Sequence, residues 1–126
     1  MLKDKASSAI VAVRDLARAR DFYEQTLGLE IDQAEGDQVI MFRTGATRLG
    51  VYVSEFAGTN QANAAVWGVG DDLEAIVADL AAKGVVFEHY DMPDVTFADG
   101  IHRAGDFRMV WFKDPDGNIL HLNSGT

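Results

Sequence analysis

The chain has 126 residues, 48% of them hydrophobic, enough for one compact domain or two small modules sharing a core and too few for a second large domain. It contains no cysteine, which excludes disulfides, thiolate nucleophiles and cysteine-based zinc sites, so any metal would need His, Asp or Glu. A formal charge of -9 with no local cluster of Lys and Arg argues against nucleic acid and anionic membrane as partners.

The opening M-L-K-D-K-A-S-S lacks the basic-then-apolar order of a signal peptide, and no apolar run approaches the roughly eighteen residues of a membrane span, so a cytoplasmic location is expected. Ser8 to Val13 alternates small and β-branched residues and predicts a strand. Asp15 then stands at an N-cap position before the amphipathic helix Leu16 to Leu27, and Gly28 supplies its left-handed stop. Three β-rich runs follow, L-E-I-D-Q-A, Q-V-I-M-F-R-T-G and R-L-G-V-Y-V-S-E, the last two joined by the turn T-G-A-T. The small, polar stretch from Phe56 to Asn63 reads as a connector.

After the connector the programme restarts. A-A-V-W-G-V is a strand with Trp67 toward a helix, and L-E-A-I-V-A-D-L-A-A-K is that helix, with Asp71 and Glu74 spaced as a capping box and Gly84 as the stop. V-V-F-E-H-Y, D-F-R-M-V-W-F-K and N-I-L-H-L-N are predicted strands. Ala9, Val13, Asp15, Ala19 and Gly28 recur 56 positions later as Ala65, Val69, Asp71, Ala75 and Gly84, so caps and stops repeat along with apolar positions. The expected fold is α+β, two βαβββ modules over residues 6–55 and 64–126 with a linker at 56–63, their curved mixed sheets enclosing a cleft. The second copy also carries a stretch of fifteen residues, Asp91 to Gly105, where the first has a tight turn. Its Met92, Val95, Phe97 and Ile101 give it the character of a lid.

V-R-D-L, F-Y-E-Q-T-L-G-L and W-F-K-D-P-D-G-N-I-L-H-L, in this order and spacing, resemble the vicinal oxygen chelate superfamily of glyoxalase I, bleomycin and fosfomycin resistance proteins and extradiol dioxygenases. The resemblance covers nearly the whole chain. It implies a cleft often completed by a second chain, hence a homodimer. In metal-dependent members it also implies a His five residues before the Val of V-x-D in each half, a carboxylate four residues after the D-P-D-G glycine, and in glyoxalases a further carboxylate in the first half. Those places fall on Ser8, Ala64, His121 and the neighbourhood of Val51. One imidazole does not hold a divalent ion, since stable sites use three or four side chains, so no metal or other cofactor is expected.

Alternation places Ser8, Ile10 and Ala12, Leu49, Val51 and Val53, Ala64, Val66 and Gly68, and Ile119, His121 and Asn123 toward the cleft. Phe97 and His102 from the lid and Trp111 complete the expected ligand-binding set of Ser8, Ile10, Val51, Ala64, Phe97, His102, Trp111, His121 and Asn123. Which of Trp111 and Phe112 faces the cleft stays open on alternation alone. The expected function is metal-free binding of a small, partly aromatic molecule, as in sequestration of a drug or toxic metabolite. The alternatives are a metal-dependent lyase or dioxygenase with a site rearranged around His121, His102 and either His89 or a nearby Asp, and a metal-free acid-base enzyme with His121 as the catalytic proton-transfer group.

Overall fold

The computed structural model describes residues 1–125, except the side chain of Glu35. Strands β1 (Ala9–Val13), β2 (Glu30–Glu35), β3 (Val39–Thr44) and β4 (Thr47–Val53) form a four-stranded sheet in the order β1-β4-β3-β2. Strands β5 (Asn63–Gly68), β6 (Thr96–Ala98), β7 (Ile101–Ala104), β8 (Phe107–Lys113) and β9 (Ile119–Asn123) form a five-stranded sheet in the order β5-β9-β8-β7-β6. In each sheet the first strand runs parallel to the last, β1 with β4 and β5 with β9, and the other neighbours are antiparallel. This is the expected mixed α+β architecture, and β1 and β5 lie in contact where the two sheets meet.

One helix covers each sheet. Asp15 caps α1 (Leu16–Asp21) as expected, its Oδ1 accepting from the Arg18 N–H at 3.1 Å. The helix then widens into a π-turn over Phe22–Thr26, in which the Leu27 N–H reaches back to the Phe22 carbonyl at 3.0 Å. In the second half the expected capping box does not form. Helix α2 (Leu73–Ala82) has no side-chain cap at its N-terminus, because Asp71 and Glu74 both turn to Arg108 on β8, which matches neither role in a box. On the helix-facing sides, Val11, Val13, Phe42, Leu49 and Val51 pack with Ala19 and Tyr23, and Val110, Phe112, Leu120 and Leu122 with Leu73, Val77 and Leu80, as one continuous core.

Two expectations after α2 need correction. Val85 to Tyr90 is not a full strand: it touches the sheet through the single bridge Phe87 to Phe112 and a bond from the Glu88 N–H to the Trp111 carbonyl. The supposed lid is not a loop over a cavity either. Thr96 to Ala104 folds back as the hairpin β6–β7, turning at Asp99 and Gly100 in left-handed conformations, and occupies the edge of the sheet. Ile101 therefore joins the core, while Phe97 and His102 pair across the hairpin on the opposite face. Alternation was hidden here because the strands are only three and four residues long.

The D-P-D-G turn has a larger structural role than turning the chain. Asp114 is buried, and its carboxylate accepts from the Tyr23 hydroxyl at 2.8 Å, from the Asp116 and Asn118 N–H groups at 2.9 Å, and from Asn118 Nδ2 at 2.8 Å. Asn118 Nδ2 also reaches the Ala12 carbonyl on β1 at 2.7 Å, and Arg18 pairs with Asp116 at 2.8 Å. One turn of the second half is thus bonded to the helix and first strand of the first half. Burial, and then the Asp114 charge, push the Tyr23 hydroxyl above its ordinary pKa, so it stays a donor. The connector is drawn onto the same turn: Gly58 is left-handed, and a Cβ there would lie 2.1 Å from the Asp116 carbonyl oxygen.

Tyr23→Phe is expected to lower unfolding free energy by about 1 kcal/mol, the loss of one buried hydrogen bond. Asp114→Ala strands several donors at once and is expected to cost about 3 kcal/mol or more. Urea denaturation measures both, and an Asp114→Ala loss no larger than that of Tyr23→Phe would contradict this arrangement.

Candidate functional site

Away from the helices, the second sheet carries a layer of six aromatic rings. Trp111 and His121 are cross-strand partners on β8 and β9, and their rings stack at 4.5 Å and 21°. The His102 ring meets Trp111 edge-on at 4.9 Å and 90°, and Tyr90 meets it at 5.5 Å and 80°. Phe97 leans on His102 at 4.7 Å, and His89 stacks on Phe97 at 4.1 Å and 13°. Trp111 therefore faces the open side, with Phe112 in the core opposite Leu120, which resolves the choice that alternation left open. The Trp111 indole N–H donates to Asn63 Oδ1 at 3.1 Å and is held in one orientation.

The polar atoms in this layer are largely committed to one another. His121 Nδ1 lies 3.0 Å from the Val110 carbonyl, so it carries the proton and donates, and Nε2 accepts from Asn123 Nδ2 at 3.2 Å. Asn123 is oriented in turn, because its Oδ1 accepts from the Gly125 N–H at 3.0 Å. His102 is 0% exposed; its Nε2 accepts from the Tyr90 backbone N–H at 3.0 Å, while its Nδ1 has no hydrogen-bond partner. Burial is the main reason that both imidazoles are pushed below the ordinary histidine range, with His89 adding to the effect on His102, and His102 to that on His121. Both rings are therefore neutral at pH 7, and these two present π-faces and apolar edges without charge.

Of the nine residues expected at the site, five come together here: Phe97, His102, Trp111, His121 and Asn123. The other four separate. Val51 is a correction: it is fully buried in the core, because β1 and β4 pair in parallel with Val51 opposite Val11, so both face the helix. Leu49 turns the same way, leaving Gly50 and Tyr52 on the open face. Ala64 falls in a register shift between Asn63 and Ala65, and this bulge gives Asn63 the position that holds Trp111. Ser8 lines a 380 Å³ cavity with Thr47, Arg48, Val66 and Gly68 at the β1–β5 junction, while Ile10 lies over Gly50 on the first sheet. Asn63 and Tyr90 were not in the expected set. Tyr90 stood only at the end of the run V-V-F-E-H-Y, read as a strand, and Asn63 carried no signal because its role follows from the bulge.

A family model described as the Glyoxalase/Bleomycin resistance protein/Dioxygenase superfamily matches residues 5–122. The chain belongs to this superfamily. Among solved structures, the bleomycin-binding protein of Streptomyces verticillus in complex with copper(II)-bleomycin is 23% identical, with a TM-score of 0.71 and 100% of both chains covered. A glyoxalase family protein from Enterococcus faecalis is 18% identical, TM-score 0.73, covering 98% of this chain and 99% of its own. The fosfomycin resistance protein FosX from Mesorhizobium loti is 17% identical, TM-score 0.69, covering 98% and 93%. These likenesses establish the fold. A search of the curated proteins finds no match.

The residues at the superfamily's metal positions do not fit a divalent ion. Ser8 and Ala64 offer no strong ligand, Val51 faces the core, and both nitrogens of His121 are engaged within the chain. Among the described residues no three His, Asp or Glu side chains converge, so the rearranged cluster of His121, His102 and His89 does not form either.

Because both buried imidazoles favour the neutral form in the folded chain, the unfolded chain takes up protons first as pH falls. The stability they confer is complete above the ordinary histidine value of about 6.5 and is lost as pH falls toward their depressed folded values. Urea titrations at several pH values across this window are expected to show unfolding free energy declining on acidification; a flat profile would contradict the buried neutral pair.

Proposed function

We propose that the protein binds a small, partly aromatic molecule against the Trp111 layer, without a metal, in a cleft completed by a second copy of the chain. The observation that carries this reading is the open face itself. Ile10 and Val66 are each 60% exposed, and Tyr52, Tyr90 and Phe97 are also exposed. Apolar and aromatic side chains on the open sides of the two sheets are costly in water, and a planar ligand and a partner chain would each cover part of them. The full-length likeness to a bleomycin-binding protein supports a binder. The binder we describe acts in the cytoplasm; among the described residues no helix is long and apolar enough to cross a membrane.

Shape and apolar contact would supply most of the affinity, because the face offers few free polar groups to orient a ligand. The engaged Nε2 of His121 favours this reading over acid-base catalysis, since accepting a substrate proton would first require Asn123 to let go. Sequestration of a drug or toxic metabolite needs no such step.

Titration with a panel of planar aromatic compounds, bleomycin among them, is expected to quench tryptophan fluorescence for at least one member. Phe97→Ala should weaken that binding about tenfold, the scale of a moderate interface anchor. A panel that produces neither quenching nor a thermal shift would refute the reading. Sedimentation is expected to find a dimer that Ile10→Glu with Val66→Glu converts to a folded monomer; a wild-type monomer would remove the second copy from the proposal.

A further inference from the structure

His102 has a hydrogen-bonding situation that no ligand is needed to explain. Past the Glu88 bond to Trp111, the next backbone tie between the segment after α2 and the sheet is the Tyr90 N–H to His102 Nε2. The segment then leaves the sheet through Asp91 and Met92, with Asp94 in a left-handed turn, and returns at Thr96 on β6. A backbone N–H cannot rotate away from its partner as a hydroxyl can. Only an imidazole with a free electron pair on Nε2 accepts it.

No side chain packed around His102 offers a protonated ring a negative charge; the backbone of Met109, its cross-strand partner on β8, favours the charged form, and burial outweighs it. Phe97 faces it from β6, Trp111 from β8, and His89 and Tyr90 from the segment itself. His121 on β9 is the further ionisable group within electrostatic reach, and it is a base like His89. Asp91, the acid on the same segment, points to solvent and pairs with His89 at 3.2 Å. Arg103, the next residue on β7, is directed to Glu74 instead.

We propose that His102 and the Tyr90 amide form an acid-opened latch that holds the 89–95 segment, with its Tyr90 ring, against the aromatic layer. A proton from solvent taken up on Nε2 replaces the acceptor with an N–H facing a second N–H, the hydrogen bond breaks, and the segment swings out from Trp111. The latch belongs to the ligand-free chain. Its consequence for a bound molecule, release on acidification, rests on the function proposed above.

Amide hydrogen exchange and histidine ring resonances, followed by NMR in the ligand-free protein from pH 7.5 to 4.5, test this. The protection factor of the Tyr90 amide is expected to fall about tenfold or more, with a midpoint that coincides with titration of the His102 ring. His102→Gln, whose Oε1 accepts the same N–H at every pH, should keep the amide protected throughout, while His89→Gln, which removes a neighbouring base, should move the midpoint upward and keep it coincident with titration of the His102 ring. Protection unchanged across His102 titration, or the same pH dependence retained in His102→Gln, would overturn the latch. If His102→Gln does not fold, the wild-type coincidence of midpoints decides alone. Because no ligand is present, these outcomes are independent of whether the aromatic panel binds.

Discussion

The Asp114 carboxylate is the interaction on which the rest of the molecule depends. It lies in a turn of the second half, yet its bonds reach Tyr23 in the first helix directly and Ala12 on the first strand through Asn118. A buried carboxylate is tolerable only when its oxygens are well supplied with donors, and here four are in place. Satisfying them fixes the π-turn, the D-P-D-G turn and the end of β1 relative to one another. With that junction set, each helix covers one face of its sheet and the opposite faces are left open. The candidate site is one of those faces.

This division explains why the sequence is so recognisable and its function is not. The motifs F-Y-E-Q-T-L-G-L and W-F-K-D-P-D-G-N-I-L-H-L supply Tyr23, Asp114, Asp116 and Asn118 to the junction, so they report how the halves are joined. Only Trp111 and His121 from the same runs reach the aromatic layer, and they do so through the alternation of β8 and β9. Membership of the superfamily follows from the match over residues 5–122, which spans the junction; it does not fix ligand or chemistry.

Much of the fold was legible in the residues: the duplicated order of elements, the Asp15 cap, the glycine stops and the open faces. What was hidden depended on pairing. A one-residue error in register reverses the face of every side chain on a strand, and Val51 was misplaced for that reason until its parallel pairing with Val11 was known. The bulge at Ala64 moved the inward position to Asn63, and β6–β7 were too short to show a period. The site was legible where β9 kept an uninterrupted alternation, in His121 and Asn123, and illegible where a hairpin folded back, in the meeting of His102 with Tyr90.

The binding proposal rests on the physical character of the face. The imidazoles of His102 and His121 are buried and neutral, the indole is tethered, and the positions that the family resemblance assigns to metal ligands carry side chains unsuited to the task. Such a surface can stack and enclose a planar body, and it is poorly equipped to polarise one. Native mass spectrometry of protein purified without chelators tests this most directly, because one spectrum reports subunit number, metal content and any retained compound. The account predicts a metal-free dimer, carrying an organic ligand if any co-purifies; a divalent ion at near one per chain would contradict it.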